Sequence, residues 1–471
     1  MADILHTEVL IIGSGPGGYV AAIELGRLGR KVAIIDRADL GGECLNHGCI
    51  PSKALITQAN LVHKIRSAAA KNMINADGVA PNLANIQAWK SSVVGDLGKG
   101  IQMLLKGNGV QVFRGEACFK DSKSICIREN GSQKTVSFDN VIIATGSSPM
   151  DLPNFKIDGH HIIGSRESLD LTQLPKSLIV LGGGVIGLEM GMLYAKFGSK
   201  VSVIELMDQI LPGVEMDLVR MVQRSLARLG IDVYISSQAL DHEIKDGIIK
   251  VNVKTPKGEV AVEGDKLMLS VGRSPNIADL GLAAAGIKCS DKGFIEIDEN
   301  CKTNIDGIYA IGDVTGPPYL AHKASHNGVK AARIIAGKPM LKHAKYIPMA
   351  VFTDPEISAV GLSEKEAGDK GFETAVGKCF FAASGRALVA GEGEGFVKVV
   401  ADKNTRKILG VSMVGPHVSD LISEAALAVE LGATTDDIGA IIHPHPTFPE
   451  VFAEAALACF GEAIHVLRRR T

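Results

Sequence analysis

Val9-Leu10-Ile11-Ile12-Gly13-Ser14-Gly15-Pro16-Gly17-Gly18 is the stretch that decides the fold. A short apolar run breaks into the pattern Gly13-x-Gly15-x-x-Gly18, and a helical pattern follows over residues 19–28, closed by Gly29. A second strand-like run, 31–35, ends at Asp36. Each residue type has a physical reason. Gly13 allows the tight turn, Gly15 lets backbone approach a pyrophosphate, and Gly18 lets helix pack close on strand. The helix N-terminus then faces the phosphates, and Asp36 can accept hydrogen bonds from ribose hydroxyls.

The pattern returns. Gly182-x-Gly184-x-x-Gly187 follows the strand-like run 177–181 and precedes a helical run ending at Gly198; the next run, 200–204, ends at Glu205. Gly13 to Gly182, Gly15 to Gly184, Gly18 to Gly187 and Asp36 to Glu205 are all separated by 169 residues. One such glycine pattern is weak evidence. Two in register, each with strand, helix, strand and acid, imply two dinucleotide sites. At the second, a carboxylate accepts from a free 2′-hydroxyl and repels a 2′-phosphate, so Glu205 predicts NAD rather than NADP.

Working outward, residues 1–150 read as the first nucleotide domain, with a helical insertion over 56–105 and a strand, 141–146, ending in a turn at Ala144-Thr145-Gly146. Residues 151–277 read as the second, ending near Val271-Gly272-Arg273. Another apolar strand, 308–311, closes in Gly312-Asp313, and from about residue 346 the pattern changes to antiparallel strands and helices. A length of 471 residues suggests about three domains at roughly 150 residues each.

Composition narrows the function classes. The net charge of -2 gives nothing to attract nucleic acid or an anionic membrane. Aromatics at 4% argue against stacking platforms for single strands. The apolar stretch 178–194 is interrupted by Gly182, Gly183, Gly184, Gly187 and Glu189 and makes a poor membrane span. The first strand begins near Glu8, leaving no room for a signal or transit peptide, so a cytoplasmic, reducing setting is expected.

Eight cysteines are too few for a disulfide scaffold, and six are scattered among apolar or strand-like neighbours as expected buried hydrophobes. With no second close pair, no metal site is expected. Cys44 and Cys49 stand apart, in Gly41-Gly42-Glu43-Cys44-Leu45-Asn46-His47-Gly48-Cys49-Ile50-Pro51-Ser52-Lys53. A thiol pair carries two electrons, as a flavin or a nicotinamide does, so a pair beside a nucleotide site suggests electron transfer through a disulfide. Cys49 precedes a helix start with proline in its first turn, where the positive helix end favours thiolate. Near the C-terminus, His443-Pro444-His445-Pro446-Thr447-Phe448-Pro449-Glu450 is a proline-stiffened loop. Either histidine could be the general base for thiol chemistry, or a satisfied loop residue.

Together these motifs resemble the pyridine nucleotide–disulfide oxidoreductases over essentially the whole chain, and the cysteine run looks most like that of the dihydrolipoamide dehydrogenase branch. The resemblance implies an α/β fold of two Rossmann-like dinucleotide-binding domains plus a C-terminal α+β dimerisation domain: FAD domain 1–150, NAD domain 151–277, central domain 278–345 and interface domain 346–471. It implies FAD at Gly13, Gly15, Gly18, Asp36, Gly42, Lys53, Gly115, Ala117, Thr145, Gly146, Asp313 and Ala321. It implies NAD at Gly182, Gly184, Gly187, Glu205 and Gly272. It also implies a homodimer in which the histidine of one subunit completes the site of the other. Cys49 would lie against the flavin, Cys44 would meet the substrate, and Lys53 would pair with Glu189. His445, which directly precedes Pro-Thr, would be the base, and Glu450 would orient it.

The implied reaction is oxidation of a protein-bound dihydrolipoyl group with NAD+ as final acceptor. The implied partners are lipoyl domains of 2-oxoacid dehydrogenase complexes or of the glycine cleavage system. The sequence departs from the family at Pro444 and Pro449, where Ala and Ser are common, and at Ser325-His326-Asn327, where acids are usual. The last departure lies on a helix expected to approach the flavin pyrimidine end, and bears on its polar contacts there, not on the cofactor itself. A glutathione reductase would carry arginines where Glu205 stands, a mercuric reductase a C-terminal cysteine pair, and soluble transhydrogenases no Cys44–Cys49 pair. A non-enzymatic scaffold would not need Cys44, Cys49, His445 and Glu450 all intact.

Overall fold

The computed structural model describes residues 5–129, 131–339 and 344–467. Its internal contacts divide the chain into two units, Met1–Gln173 with Leu269–Lys342, and Leu174–Met268 with His343–Thr471.

In the first unit, strands Gln111–Arg114, Val32–Asp36, Leu5–Ile12 and Ser132–Ile143 lie side by side in that order, and Ile308–Ala310 pairs with the far end of Ser132–Ile143. These pairings are parallel, with Val9 opposite both Val32 and Asn140, and Ile308 opposite Val141. The two-residue period of a strand then sorts the apolar side chains. Val9, Ile11, Val32 and Ile34 pack on one face with Ala21, Leu25 and Leu105 from helices Pro16–Arg27 and Leu83–Gly107. Leu10, Ile12, Ala33 and Ile35 pack on the other with Phe119, Ile125 and Phe138. Ile308–Ala310 comes from the stretch assigned above to the central domain, so the chain returns to this sheet after the second nucleotide fold. Helices Cys49–Ala70 and Leu83–Gly107 occupy the expected helical insertion. Helix Ala321–Ile335 packs on Pro16–Arg27 so tightly that a Cβ on Gly328 would lie 2.4 Å from the Gly17 carbonyl oxygen.

In the second unit, strands Asp232–Tyr234, Lys200–Ile204, Ser177–Leu181 and Lys266–Leu269 follow one another in a sheet, beside an antiparallel trio Gln238–Lys245, Ile248–Thr255 and Gly258–Gly264. Helix Val185–Phe197 is buried nearly all round. Its two buried charged side chains both find partners: Glu189 accepts from the Phe352 N–H at 2.9 Å and Lys196 meets Asp354 at 2.5 Å. The C-terminal part is an antiparallel sheet in the order Met349–Val351, Glu356–Gly361, Ile408–Gly415, Phe396–Asp402, Thr374–Phe380. Helices Val418–Leu431 and Glu450–Ala458 share its core. This is the strand-and-helix α+β domain expected from the sequence.

Lys398 is the charge that joins these parts. It is 4% exposed and reaches Glu215 at 2.7 Å and both oxygens of Asp217 at 3.0 and 3.1 Å, while Lys378 meets Asp217 at 2.8 Å. Burial alone would raise the Asp217 carboxyl, but hydrogen bonds from Lys378 and Lys398 outweigh it and hold the group below its ordinary value. Lys398→Met removes the cation, leaving Asp217 with Lys378 and Glu215 with only the Ser412 hydroxyl among the described residues. We expect a loss of about 3 kcal/mol, the scale for breaking a buried pair, read as a lowered urea midpoint at neutral pH. A lowered carboxyl stabilises the fold above its unfolded value and ceases to do so as pH falls through its folded value, so wild type and variant converge below about pH 4. An unchanged midpoint at neutral pH contradicts this account.

Candidate active site

The first glycine turn behaves as its spacing requires. Gly13 has φ 99°, and a Cβ there would fall 2.4 Å from the Ala144 carbonyl oxygen; a Cβ on Gly18 would fall 1.9 Å from the Gly13 carbonyl oxygen. Gly15, by contrast, would meet nothing within 4 Å, so the space before it is open to a ligand. Gly15 precedes helix Pro16–Arg27, whose first-turn N–H groups face that space. The second turn repeats this geometry: Gly182 has φ 104°, Gly184 precedes helix Val185–Phe197 with nothing within 4 Å, and Gly187 is buried within that helix.

Both acids do something that the sequence reading missed. Asp36 accepts from the Ser14 N–H and hydroxyl, each at 2.6 Å, and from the Ala38 N–H at 2.9 Å. Glu205 accepts from the Gly183 N–H at 2.6 Å and the Met207 N–H at 2.8 Å, and is 7% exposed. Ser14 and Gly183 are themselves one repeat interval apart, so the same bond braces both glycine turns. The signal was available in the register of the two copies.

Other residues assigned to FAD gather in the first unit. The Gly115 N–H donates to the Asp36 carbonyl at 2.9 Å, and Ala117 is buried, which leaves a ligand only its main chain. A Cβ on Gly42 would lie 2.5 Å from Gly15 Cα, which places the cysteine segment against the glycine turn. Thr145 Oγ1 is buried with no hydrogen-bond partner among the described residues, and Gly146 has φ 70°. Asp313 accepts from the Ser147 hydroxyl at 2.6 Å. Ala321 opens helix Ala321–Ile335, and Ser325, one of the departures, points to the Pro16 carbonyl at 3.3 Å. An orphaned hydroxyl and an open, donor-lined turn fit a dinucleotide. Gly272 also lies in the first unit, where its carbonyl accepts from the Met150 N–H at 3.1 Å.

Cys44 and Cys49 are joined as a disulfide, with their Cα atoms 4.7 Å apart. Cys44 sits in the short helix Gly42–His47 and Cys49 is the first residue of the 22-residue helix Cys49–Ala70. Lys53 follows one turn along that helix. Glu189 belongs to the other unit. Of the other six cysteines, Cys301 and Cys379 are buried and the rest are partly exposed.

The histidine loop separates its two candidates. His443 is 8% exposed at its side chain, with Nδ1 3.1 Å from the Ile441 carbonyl and Nε2 3.0 Å from Glu424. Both nitrogens face oxygen acceptors, so neither is available to take a substrate proton. His445 is 78% exposed; Nδ1 lies 2.7 Å from Glu450 Oε1, and Nε2 has no partner among the described residues. Glu450 opens helix Glu450–Ala458 and its second oxygen accepts from the Thr447 N–H at 2.6 Å. Burial would raise its carboxyl, but the Thr447 N–H and His445 outweigh burial and hold it below the ordinary value. Thr447 in turn donates its hydroxyl to the Pro444 carbonyl at 2.6 Å. A histidine braced at one nitrogen and open at the other is the geometry of a general base.

Among the described residues, no group of three or more His, Cys, Asp or Glu is placed to hold a metal, and no helix is long and apolar enough to cross a membrane.

Comparison with known proteins agrees with this geometry. Residues 7–328 match the pyridine nucleotide-disulphide oxidoreductase family and residues 347–456 match its dimerisation domain. The chain is 42% identical to a dihydrolipoyl dehydrogenase of Geobacillus stearothermophilus, covering 99% of this chain and 98% of that protein. It is 43% identical to a dihydrolipoyl dehydrogenase of Haloferax volcanii, covering 98% of each. Among solved structures it is similar to LpdA of Mycobacterium tuberculosis, with a TM-score of 0.89, 29% identity and coverage of 96% and 99%. It is also similar to the HOCl-induced flavoprotein disulfide reductase RclA of Escherichia coli, with a TM-score of 0.84, 27% identity and coverage of 95% and 99%. A glycine turn built twice, a disulfide laid against the first copy and a matching dimerisation domain lead to one conclusion: the chain belongs to the pyridine nucleotide-disulphide oxidoreductase family.

Proposed function

We propose that this chain oxidises a protein-bound dihydrolipoyl group at the Cys44–Cys49 disulfide and passes the electrons to NAD+. The observation that carries the reading is that disulfide, at the entrance to a long helix and against the first glycine turn. Full-length likeness to dihydrolipoyl dehydrogenases supports it. The enzyme is an FAD- and NAD-dependent oxidoreductase. Bound FAD and NAD+ supply a two-electron path away from the thiols, ending in NADH.

The chain's own residues account for the thiol step. His445 Nε2 takes the proton from one substrate thiol while Glu450 holds Nδ1–H and steadies the ring. The substrate thiolate attacks Cys44, and Cys49 leaves as a thiolate at a helix N-terminus, where partial positive charge favours it. The second substrate thiol then passes its proton to the Cys49 thiolate and closes on the first sulfur, while His445 returns its proton to the departing Cys44. Two electrons and two protons leave the substrate, which becomes its cyclic disulfide, and the enzyme holds a dithiol. Lys53, one turn past Cys49, pairs in this reading with Glu189 and couples the two cofactor sites. The chain works as a homodimer, with the histidine of each subunit serving the disulfide of the other. Its partners are lipoyl domains of a 2-oxoacid dehydrogenase complex or of the glycine cleavage system. The setting is the cytoplasm, where a disulfide is catalytic rather than structural.

Two measurements test this. NADH formation from dihydrolipoamide should favour NAD+ over NADP+ on the order of 100-fold, the discrimination expected of a mismatched polar contact; equal use of both overturns the role given to Glu205. His445→Gln should lower kcat with dihydrolipoamide about 10²- to 10⁴-fold, while His443→Gln stays within about tenfold of wild type. The reverse ranking would make His443 the base.

A further inference from the structure

The helix that carries Cys44 is poorly secured by its own sequence. Gly42–His47 has six residues, Gly41 and Gly42 enter it with φ 101° and 62°, and Gly48 follows it directly. A helix this short is not stable alone, and Leu45 is its one buried side chain. While the disulfide is closed, Cys49 staples it. Every turnover opens that staple.

The remaining ties differ in kind. The Gly41 N–H donates to the Ser14 carbonyl at 3.0 Å, and the Asn46 amide donates to the carbonyls of Asp39, Leu40 and Gly42 within its own segment. Glu43 reaches much further along the chain. Arg166 Nε lies 3.1 and 3.0 Å from its two oxygens, Arg166 donates a further bond at 2.5 Å, and Arg273 approaches at 3.4 Å. Arg273 is itself fixed: it donates to the Ser147 hydroxyl and carbonyl, each at 2.7 Å, and that hydroxyl donates to Asp313. The side chains of Glu43 and Arg273 are 24% and 13% exposed, so solvent screens this contact only in part. The hydrogen bond to Glu43 raises the Arg166 guanidinium above its ordinary value. None of these three residues donates or accepts a proton in the thiol chemistry.

We propose that Arg166 and Arg273 are positioning residues for Cys44: they hold Glu43, and through it the Gly42–His47 helix, so that Cys44 stays within reach of Cys49 after the disulfide opens. The stability of an intramolecular disulfide follows the effective concentration of one thiol at the other. Loosening the tether lowers that concentration and makes the disulfide easier to reduce. The closed disulfide orders the helix in advance, so the tether adds its full stability to the oxidised fold and less to the dithiol.

The test uses holoenzyme, wild type against Arg166→Gln, Glu43→Gln and the double variant. Each is equilibrated without oxygen in mixtures of dithiothreitol and its cyclic disulfide. Dithiothreitol loses two electrons and two protons and closes its ring; Cys44 and Cys49 gain them. The fraction reduced is read by alkylating thiols and weighing the Cys44 peptide, independently of turnover. We expect each single variant to shift the equilibrium about three- to tenfold toward the dithiol, the range of coupling between contacting residues. The double variant should shift no further than Glu43→Gln alone, Arg166→Lys should recover part, and oxidised protein should lose more melting temperature than the dithiol. Unshifted equilibria overturn the proposal. So do equal losses of melting temperature in the oxidised and dithiol forms, which would make the cluster a general structural contact.

Discussion

The close approach of Gly18 to the Gly13 carbonyl is the contact on which the rest of the first unit hangs. With a Cβ excluded at 1.9 Å, helix Pro16–Arg27 can begin directly over the end of strand Leu5–Ile12. Its N–H groups then open onto the space in front of Gly15. The cysteine segment leans on the same turn, through the Gly41 N–H to Ser14 and the near contact of Gly42 with Gly15. A thiol pair and a pyrophosphate cradle are therefore built on one piece of backbone. Any side chain at Gly18 would push the helix off the strand and disturb both.

The acids at the strand ends show how such a turn is kept rigid. Three successive backbone groups at a glycine turn have few intrinsic partners, and unmet N–H groups are costly away from water. Asp36 and Glu205 each accept from the N–H inside the turn and from another two residues past the acid. A carboxylate offers about four acceptor sites. Bracing the loop thus leaves acceptor capacity free on each acid. The bond recurs at both copies, so replacing Glu205 would release the Gly183 N–H from its partner.

What the sequence reveals is what is local. Glycine spacing, strand period and the acid at the strand end all lie within a few tens of residues, so both nucleotide folds can be read directly. The return of Ile308–Ala310 to the first sheet is not local; nothing in three apolar residues names the neighbour they will pair with. The same holds for Glu43 with Arg166, 123 residues apart, and for Lys398 with Glu215, 183 apart. Glu43 stood directly before Cys44 in the cysteine run and still carried no signal, because an ion pair is chosen by tertiary geometry rather than by spacing. Ser147 was equally silent beside Thr145 and Gly146.

The two histidines make the same point where the chemistry is decided. In sequence His443 and His445 are near-equivalent, each beside proline and each able to serve as a base. The fold breaks the tie with two carboxylates at different distances along the chain: Glu424, 19 residues before His443, and Glu450, five after His445. The first, with the Ile441 carbonyl, occupies a buried ring at both nitrogens and turns it into a fixture of the loop. The second occupies one nitrogen of an exposed ring and leaves the other to meet a substrate. A base needs one nitrogen held and one open, so the ring that is better secured is the one unsuited to the task. The buried histidine instead fixes the loop that carries its exposed neighbour.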